Sequence, residues 1–258
     1  MIKREDLLFG LEIEMEYSTK VRNDRRLRKG DYHEPNKLGR TRYWRVESDG
    51  SLHTRKMDDT AEVTSIPITI EQLPDALKEF KNFFSTKKNF PLSQVMNFND
   101  SCGAHIHVSI NDKRIRNMVI KYSETRLREI ALNRLTALAQ ENRLTLKQVE
   151  QFKKHYYRDY ARDLSSESTR FGGRGRYGSV NFQGTPNTLE WRSFNLLPVT
   201  TWEEFELFYS VGIESLIEFI NSLDEVNIWN ETQRAPQKQA IRIELGDSGI
   251  QFSIDEIL

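Results

Sequence analysis

Gly10-Leu11-Glu12-Ile13-Glu14-Met15-Glu16 alternates acid and hydrocarbon. Residues two apart in a strand share a face. Glu12, Glu14 and Glu16 therefore point one way, and Leu11, Ile13 and Met15 the other. Three distant segments carry similar patterns: Ala61-Glu62-Val63-Thr64, Cys102-Gly103-Ala104-His105-Ile106-His107-Val108-Ser109 and Thr188-Leu189-Glu190-Trp191-Arg192. His105, His107 and Ser109 oppose Ala104, Ile106 and Val108; Glu190 and Arg192 oppose Leu189 and Trp191. If these strands are neighbours in one sheet, one face is apolar core. The other collects carboxylates, two imidazoles and a guanidinium. Like charges that close repel, so such a face makes sense as a holder of divalent metal and a polyphosphate.

The chain has 258 residues, 37% apolar and 29% charged, with a formal net charge of zero. That length suits one domain with a sizeable core. Zero net charge argues for neither nucleic acid nor an anionic membrane, so any basic site must be local. The single cysteine, Cys102, rules out an intrachain disulfide and a cysteine zinc site. No apolar run approaches the roughly 18 residues of a spanning helix, and the first residues lack an apolar signal core. A soluble protein of the reducing cytoplasm is expected.

Outward from the opening strand (6–17), residues 20–40 read as a mobile, exposed loop, either a solvated charge run or a lid. Residues 41–48 read as a strand ended by the turn Asp49-Gly50-Ser51, and 60–68 as another. Thr69-Ile70-Glu71-Gln72 fits a capping box. The helix behind it carries Leu73, Leu77, Phe80, Phe83 and Phe84 on one side. Residues 92–99 and 103–111 read as strands, then 113–163 as a helical block, either an insertion or a layer on the sheet. Inside it, Thr145-Leu146-Lys147-Gln148 is a second capping box, and Tyr156, Tyr157 and Tyr160 read as packing residues. A Gly-Arg loop at 170–178 precedes strands at 178–183 and 187–195. Thr201-Trp202-Glu203-Glu204 is a third capping box, opening a helix with Phe205, Phe208, Gly212, Leu216, Phe219 and Ile220 on one side. The last thirty residues show no placeable pattern.

Each constellation has a bland counterpart. Glu12-x-Glu14 alone is what a solvated strand face carries, although hard divalent ions do prefer carboxylate oxygens. His105-x-His107 is compatible with zinc hydrolysis, as in metal-dependent amidohydrolases. Further histidine ligands would then have to come from His33, His53 or His155, and the first two lie in polar stretches and the third on a helix. One imidazole among carboxylates suits magnesium or manganese instead, and two hydrogen-bonded structural histidines are the plain alternative. Arg192 beside Glu190 is suited to bidentate binding of phosphate or carboxylate, or to an ion pair. Arg170, Arg174 and Arg176 stand among glycines that let backbone and guanidinium approach an anion, without the Gly-Lys-Ser/Thr of a Walker loop. Cys102 reads as structural.

In order, these segments resemble the amidoligase family, carboxylate–amine ligases built like the catalytic domain of glutamine synthetase and glutamate–cysteine ligase. Phe9-Gly10-Leu11-Glu12-Ile13-Glu14 is similar to the family's opening Gly-x-Glu-x-Glu strand. Asp49-Gly50-Ser51-Leu52 and Ala61-Glu62-Val63-Thr64-Ser65 are similar to its Asp-Gly-Ser-Leu and Glu-Leu/Val-x-Ser pair. Cys102 to Val108 is similar to its Cys-Gly-x-His-x-His-Val strand. Arg176-Tyr177-Gly178-Ser179-Val180-Asn181 and Thr188 to Arg192 are similar to its closing strands. The match runs from about residue 9 to 195.

The resemblance implies an α+β fold. A curved antiparallel sheet carries helices on its outer face, and 1–258 form one catalytic domain with a helical segment at about 113–163. It implies ATP with magnesium or manganese, a small-molecule or peptide carboxylate and an amine as substrates, and an acyl-phosphate intermediate. Glu12, His105 and Glu190 would hold the metal nearer the phosphates, and Glu14 and Glu62 a second, helped by Asp49. Arg192 and Arg176 would stabilise the γ-phosphate and acyl phosphate; His107, Ser109 and Arg174 would lie near ATP; Asp49 or Glu62 would be the base. The small N-terminal domain of glutamine synthetase has no counterpart here, and one further Glu matches in mid-chain where two are expected. A phosphotransferase of the same fold class, a non-catalytic nucleotide- or nucleic-acid-binding module and a zinc hydrolase stay open as rivals.

Overall fold

The computed structural model describes residues 7–19, 27–31, 34–85, 90–99, 101–110, 115, 126–155, 180–181, 188–192, 194 and 196–244. Eight strands form one sheet: β1 (Phe9–Tyr17), β2 (Asn36–Lys37), β3 (Trp44–Glu47), β4 (Asp59–Ser65), β5 (Met96–Asn97), β6 (Ala104–Ser109), β7 (Val180–Asn181) and β8 (Thr188–Trp191). The order is β2-β3-β4-β1-β6-β8-β7, open and antiparallel throughout, with β5 also on β1. The helices are α1 (Leu73–Ser85), α2 (Leu92–Val95), α3 (Arg128–Gln140), α4 (Leu146–His155) and α5 (Trp202–Glu244). The fold is thus α+β, as expected. Among the described residues no helix is long and apolar enough to cross a membrane.

Alternation builds the core. Phe9, Leu11, Ile13 and Met15 of β1 are buried with Trp44, Val46, Val63, Ala104, Ile106, Val108, Leu189 and Trp191. Helices α1 and α5 supply the opposing layer with Leu73, Leu77, Phe80 and Phe84, and with Phe205, Phe208, Tyr209, Leu216, Phe219 and Ile220. Each such side chain contributes about 1.5–3 kcal/mol by leaving water. Phe80 lies 4.8 Å from Trp44 and stacks at 5.2 Å on Phe205, while Trp44 donates its indole N–H to the Ala76 carbonyl at 2.8 Å. The approach of α5 to β6 requires a glycine. A Cβ on Gly212 would stand 2.4 Å from Ile106 Cδ1 and 2.9 Å from Phe194.

The capping boxes are all present. Gln72 Oε1 accepts from Thr69 N at 3.0 Å, ahead of a 3-10 turn (Ile70–Gln72) that leads into α1. Thr145 and Gln148 satisfy each other's backbone N–H, as do Thr201 and Glu204. Gln148 Nε2 also donates to Glu204 Oε1 at 2.7 Å, tying the start of α4 to that of α5. Helix α3 packs on α4 and α5, so the described part of the helical block joins the helical side. Tyr156, Tyr157 and Tyr160 lie outside the described residues.

Two expectations are corrected. Residues 92–99 are not one strand. Pro91 leads into a helical turn that buries Leu92 and Val95, three residues apart, and only Met96–Asn97 pair with β1. Residues 27–31 and 34–40 are not a free loop. Gly30 and Val46 share a backbone hydrogen bond, β2 pairs with β3, and Leu27 and Leu38 are buried. Lys29 pairs with Asp59 at 3.0 Å, which fastens this segment to the far end of β4. Residues 20–26 and 32–33 lie outside the described residues. Helix α5 takes in the first half of the unplaced C-terminal stretch, reaching Glu244.

Candidate metal centre

β1 is paired along both edges, and this brings the polar residues together. Glu12 stands opposite His105 on β6, and Glu14 opposite Glu62 on β4. His107 stands opposite Glu190 on β8. One hydrogen-bonded step places side chains about 5 Å apart, so residues far apart in sequence become neighbours. Two groups have ligand atoms within 4.8 Å of one another: Glu12, His105 and Glu190, and Glu12, Glu14 and Glu62. Glu12 belongs to both. These are the five residues expected to hold metal.

Glu12 is bonded on several sides. Its Oε1 meets His105 Nδ1, and its Oε2 lies 3.1 Å from His107 Nε2. Its backbone carbonyl accepts from Tyr209 Oη on α5 at 3.2 Å, a fixed tie between the helical layer and the centre of β1. His105 Nδ1 is also 3.3 Å from Glu190 Oε1, and Arg192 Nη1 donates to that oxygen at 2.6 Å. Arg192 Nε is buried and meets no acceptor among the described residues. Glu14 accepts from Gly103 N, and there is no room for a side chain there. A Cβ on Gly103 would stand 2.6 Å from His105 Nε2 and 2.9 Å from Glu14 Oε2.

The electrostatics follow from crowding. Burial alone would lower the His105 imidazole. The charge and hydrogen bond of Glu12, then the charges of Glu14 and Glu190, outweigh burial and push it to about 9. Burial would raise Glu12, but the two histidines hold it well below the usual carboxylate range. Glu14 is raised by burial, with the charge of Glu12 adding to it. Glu62 is pushed up to about 10, by burial first, then by Glu12 and by contact with the Glu47 carboxyl. Five carboxylates (Glu12, Glu14, Glu47, Glu62 and Glu190) thus share one face with two histidines and Arg192. That supply of carboxyl oxygens, with one buried imidazole in an oxygen-rich set, is the donor chemistry that magnesium or manganese prefers.

The other expected residues are less central. Asp49 is half-buried and accepts from Ser51 N at 2.7 Å, and its charge is felt by Glu14. Ser109 is on the same face as His107, opposite Thr188. Arg174 and Arg176 lie outside the described residues. Cys102 is buried and its thiol is pushed up to about 11, chiefly by burial, which suits the structural reading. Of the histidines considered as zinc ligands, His53 is exposed and neither metal-competent group contains it.

Glu16 shares the face but is otherwise engaged. Its Oε2 accepts from the backbone N–H groups of Arg55, Lys56 and Met57, and its Oε1 from the side-chain amides of Asn97 and Asn99. These donors outweigh burial and lower its carboxyl to about 2. Glu47 was not anticipated. It faces Glu62 from β3 and is buried. The alternation Arg45-Val46-Glu47 was the signal that could have found it. A groove of about 450 Å³ between α1 and α5, lined in part by Leu73, Leu77 and Lys81, lies on the helical side, away from this chemistry. No family model matches the chain, and no curated protein matches it.

Proposed function

We propose that the chain is an ATP-dependent carboxylate–amine ligase of the glutamine synthetase catalytic-domain type, using magnesium or manganese. One observation carries the reading: two metal-competent groups share Glu12 on the polar face of an antiparallel sheet, with Arg192 at their flank. A carboxylate is a poor electrophile at neutral pH. Attack of its oxygen on the γ-phosphorus of ATP releases ADP and leaves an acyl phosphate. The amine nitrogen then attacks the acyl carbon, phosphate departs, and the nitrogen gives up a proton. Bound divalent metal supplies charge neutralisation for the phosphoryl oxygens.

The chain's own residues do the remaining work. Glu12, His105 and Glu190 hold one ion, and Glu14 and Glu62 hold the other. Arg192 retains a donor, its Nε, for phosphoryl oxygens. Asp49 is a better base than Glu62, because Glu62 belongs to the ligand set and Asp49 stands outside it. Among the described residues each ligand set holds at most one histidine, which disfavours a zinc hydrolase. A nucleic-acid module needs a basic footprint, and this face is dominated by carboxylates.

The test is calorimetry of ATP binding with and without magnesium, on the native chain and on a His105→Ala, Glu190→Ala variant. Binding should require the metal and vanish in the folded variant. ATP binding indifferent to both would refute the site. Turnover should then release phosphate and an amide when acid–amine pairs are screened; a stable phosphorylated product instead would make the chain a phosphotransferase. A Glu12→Ala, Glu14→Ala variant should fold and lose all turnover.

A further inference from the structure

The segment that joins β5 to β6 is fastened to β1 at two points. Gly103 fastens one end: its carbonyl accepts from Glu14 N at 3.0 Å, and its own N–H donates to the Glu14 carboxylate. Asn99 fastens the other. It is buried, and its Nδ2 donates to Glu16 Oε1 and to the His53 carbonyl, the latter at 2.7 Å. Its Oδ1 accepts from Ser101 N and Ser101 Oγ, both at 2.7 Å, and its backbone carbonyl accepts from Cys102 N at 3.1 Å. Both amide protons and both oxygen lone pairs are thus used. The reversed amide would set its oxygen against the Glu16 carboxylate, so the network fixes its orientation. Glu16 takes part in neither metal-competent group; it lies about 7 Å beyond Glu14 on the same face of β1. Asn97 differs from Asn99. Its Nδ2 donates to the same Glu16 oxygen at 2.8 Å, yet among the described residues it makes no bond to the Ser101–Gly103 turn.

We infer that Asn99 is a positioning residue for the metal centre: it holds the turn whose Gly103 N–H sets the Glu14 carboxylate. This rests on the metal reading of the face above and adds a residue that itself touches no metal. The route is short. Glu16 fixes the Asn99 amide, the amide fixes Ser101, and the turn delivers its N–H to Glu14. Outer partners of metal ligands are worth about 10–100-fold in affinity, because a ligand that swings free must be ordered again when the ion binds.

Calorimetric titration with manganese alone, on the full chain, tests this beside thermal unfolding. Asn99→Ala should lower manganese affinity by at least about tenfold in the folded protein. Asn97→Ala should lower the melting temperature, since Glu16 loses a donor, and leave manganese affinity native. A role limited to satisfying Glu16 would move both variants alike, in stability and not in affinity. Should Asn99→Ala not fold, Asn99→Gln, which keeps the amide but shifts it by one methylene, carries the same expectation. Native manganese affinity in the folded Asn99 variant overturns the inference and leaves the metal reading standing. An equal loss of affinity in Asn97→Ala also overturns it, because the effect would then run through Glu16 without the turn. Native protein that binds no manganese overturns both.

Discussion

Gly103→Ala adds one methyl group between His105 and Glu14, two of the proposed ligands. The new Cβ would stand 2.6 Å from His105 Nε2, 3.2 Å from Cε1 and 2.9 Å from Glu14 Oε2, where ordinary contact begins near 3.4 Å. The ring would have to retreat by about 0.8 Å and the carboxylate by about 0.5 Å to restore van der Waals spacing. Neither is free to do so. His105 is buried between Glu12 and Glu190, and Glu14 is held by the N–H of Gly103 itself. The backbone at Gly103 is not in the left-handed region, so the substitution acts by sterics alone. It even stabilises slightly, by about 0.4–1 kcal/mol, through the unfolded chain. Ligand distances are fixed to within about 0.2 Å, and a displacement near 1 Å costs about a hundredfold at a preorganised site. Manganese affinity should therefore fall about a hundredfold while the thermal transition stays cooperative. Gly50→Ala is the control, since nothing lies within 4 Å of its added Cβ. A folded Gly103→Ala protein with native manganese affinity would show that His105 and Glu14 do not act as a rigid pair.

Three further outcomes follow from the same geometry. Glu16 is depressed to about 2 from an ordinary 4.5, so it contributes stability above pH 4.5 that is lost as pH falls toward 2. The native melting temperature should drop more steeply across that window than that of Glu16→Gln, and parallel slopes would refute the anchor role. His105 is raised to about 9 in the metal-free protein, so its contribution is fully present below pH 6.5 and lost as pH rises through 9. A metal must displace that proton, so manganese binding at pH 7 should release at least about one proton, read by calorimetry in buffers of different ionisation enthalpy. Heats independent of buffer would remove His105 from the ligand set. Gly212→Val should lower the urea midpoint with unchanged slope, costing about 1–3 kcal/mol by overpacking against Ile106 and Phe194; an unaltered midpoint would mean α5 is not tightly seated on β6.

Much of this fold was legible because strand alternation and helix capping are local codes. The opening strand, the His-x-His strand and the Thr145 and Thr201 boxes each declare themselves within a few residues. Residues 92–99 misled because a short apolar run has the same composition in a helical turn and in a strand. Position decided it, since β6 pairs with β1 from Phe9 to Ile13 and β5 pairs only with Glu16 and Tyr17 beyond it. The charged stretch before β3 misled because exposed edge strands such as Asn36–Lys37 carry no apolar signature.

Glu16 and Glu47 define what alternation cannot supply. Glu16 continues the row of Glu12 and Glu14, and nothing in its own strand sets it apart. Glu47 sits in a strand that shows no acid repeat. Alternation assigns a residue to a face, whereas a ligand also needs lone pairs to spare. At Glu16 the 55–57 backbone and two asparagines use those lone pairs, and they come from segments some 40 and 80 residues away. At Glu14 a single N–H does so, and at Glu47 Oε2 no donor arrives. Donor count per buried carboxylate therefore separates the structural anchor Glu16, fixed by five donors, from its neighbour along β1, Glu14, which the ligase reading takes as a ligand.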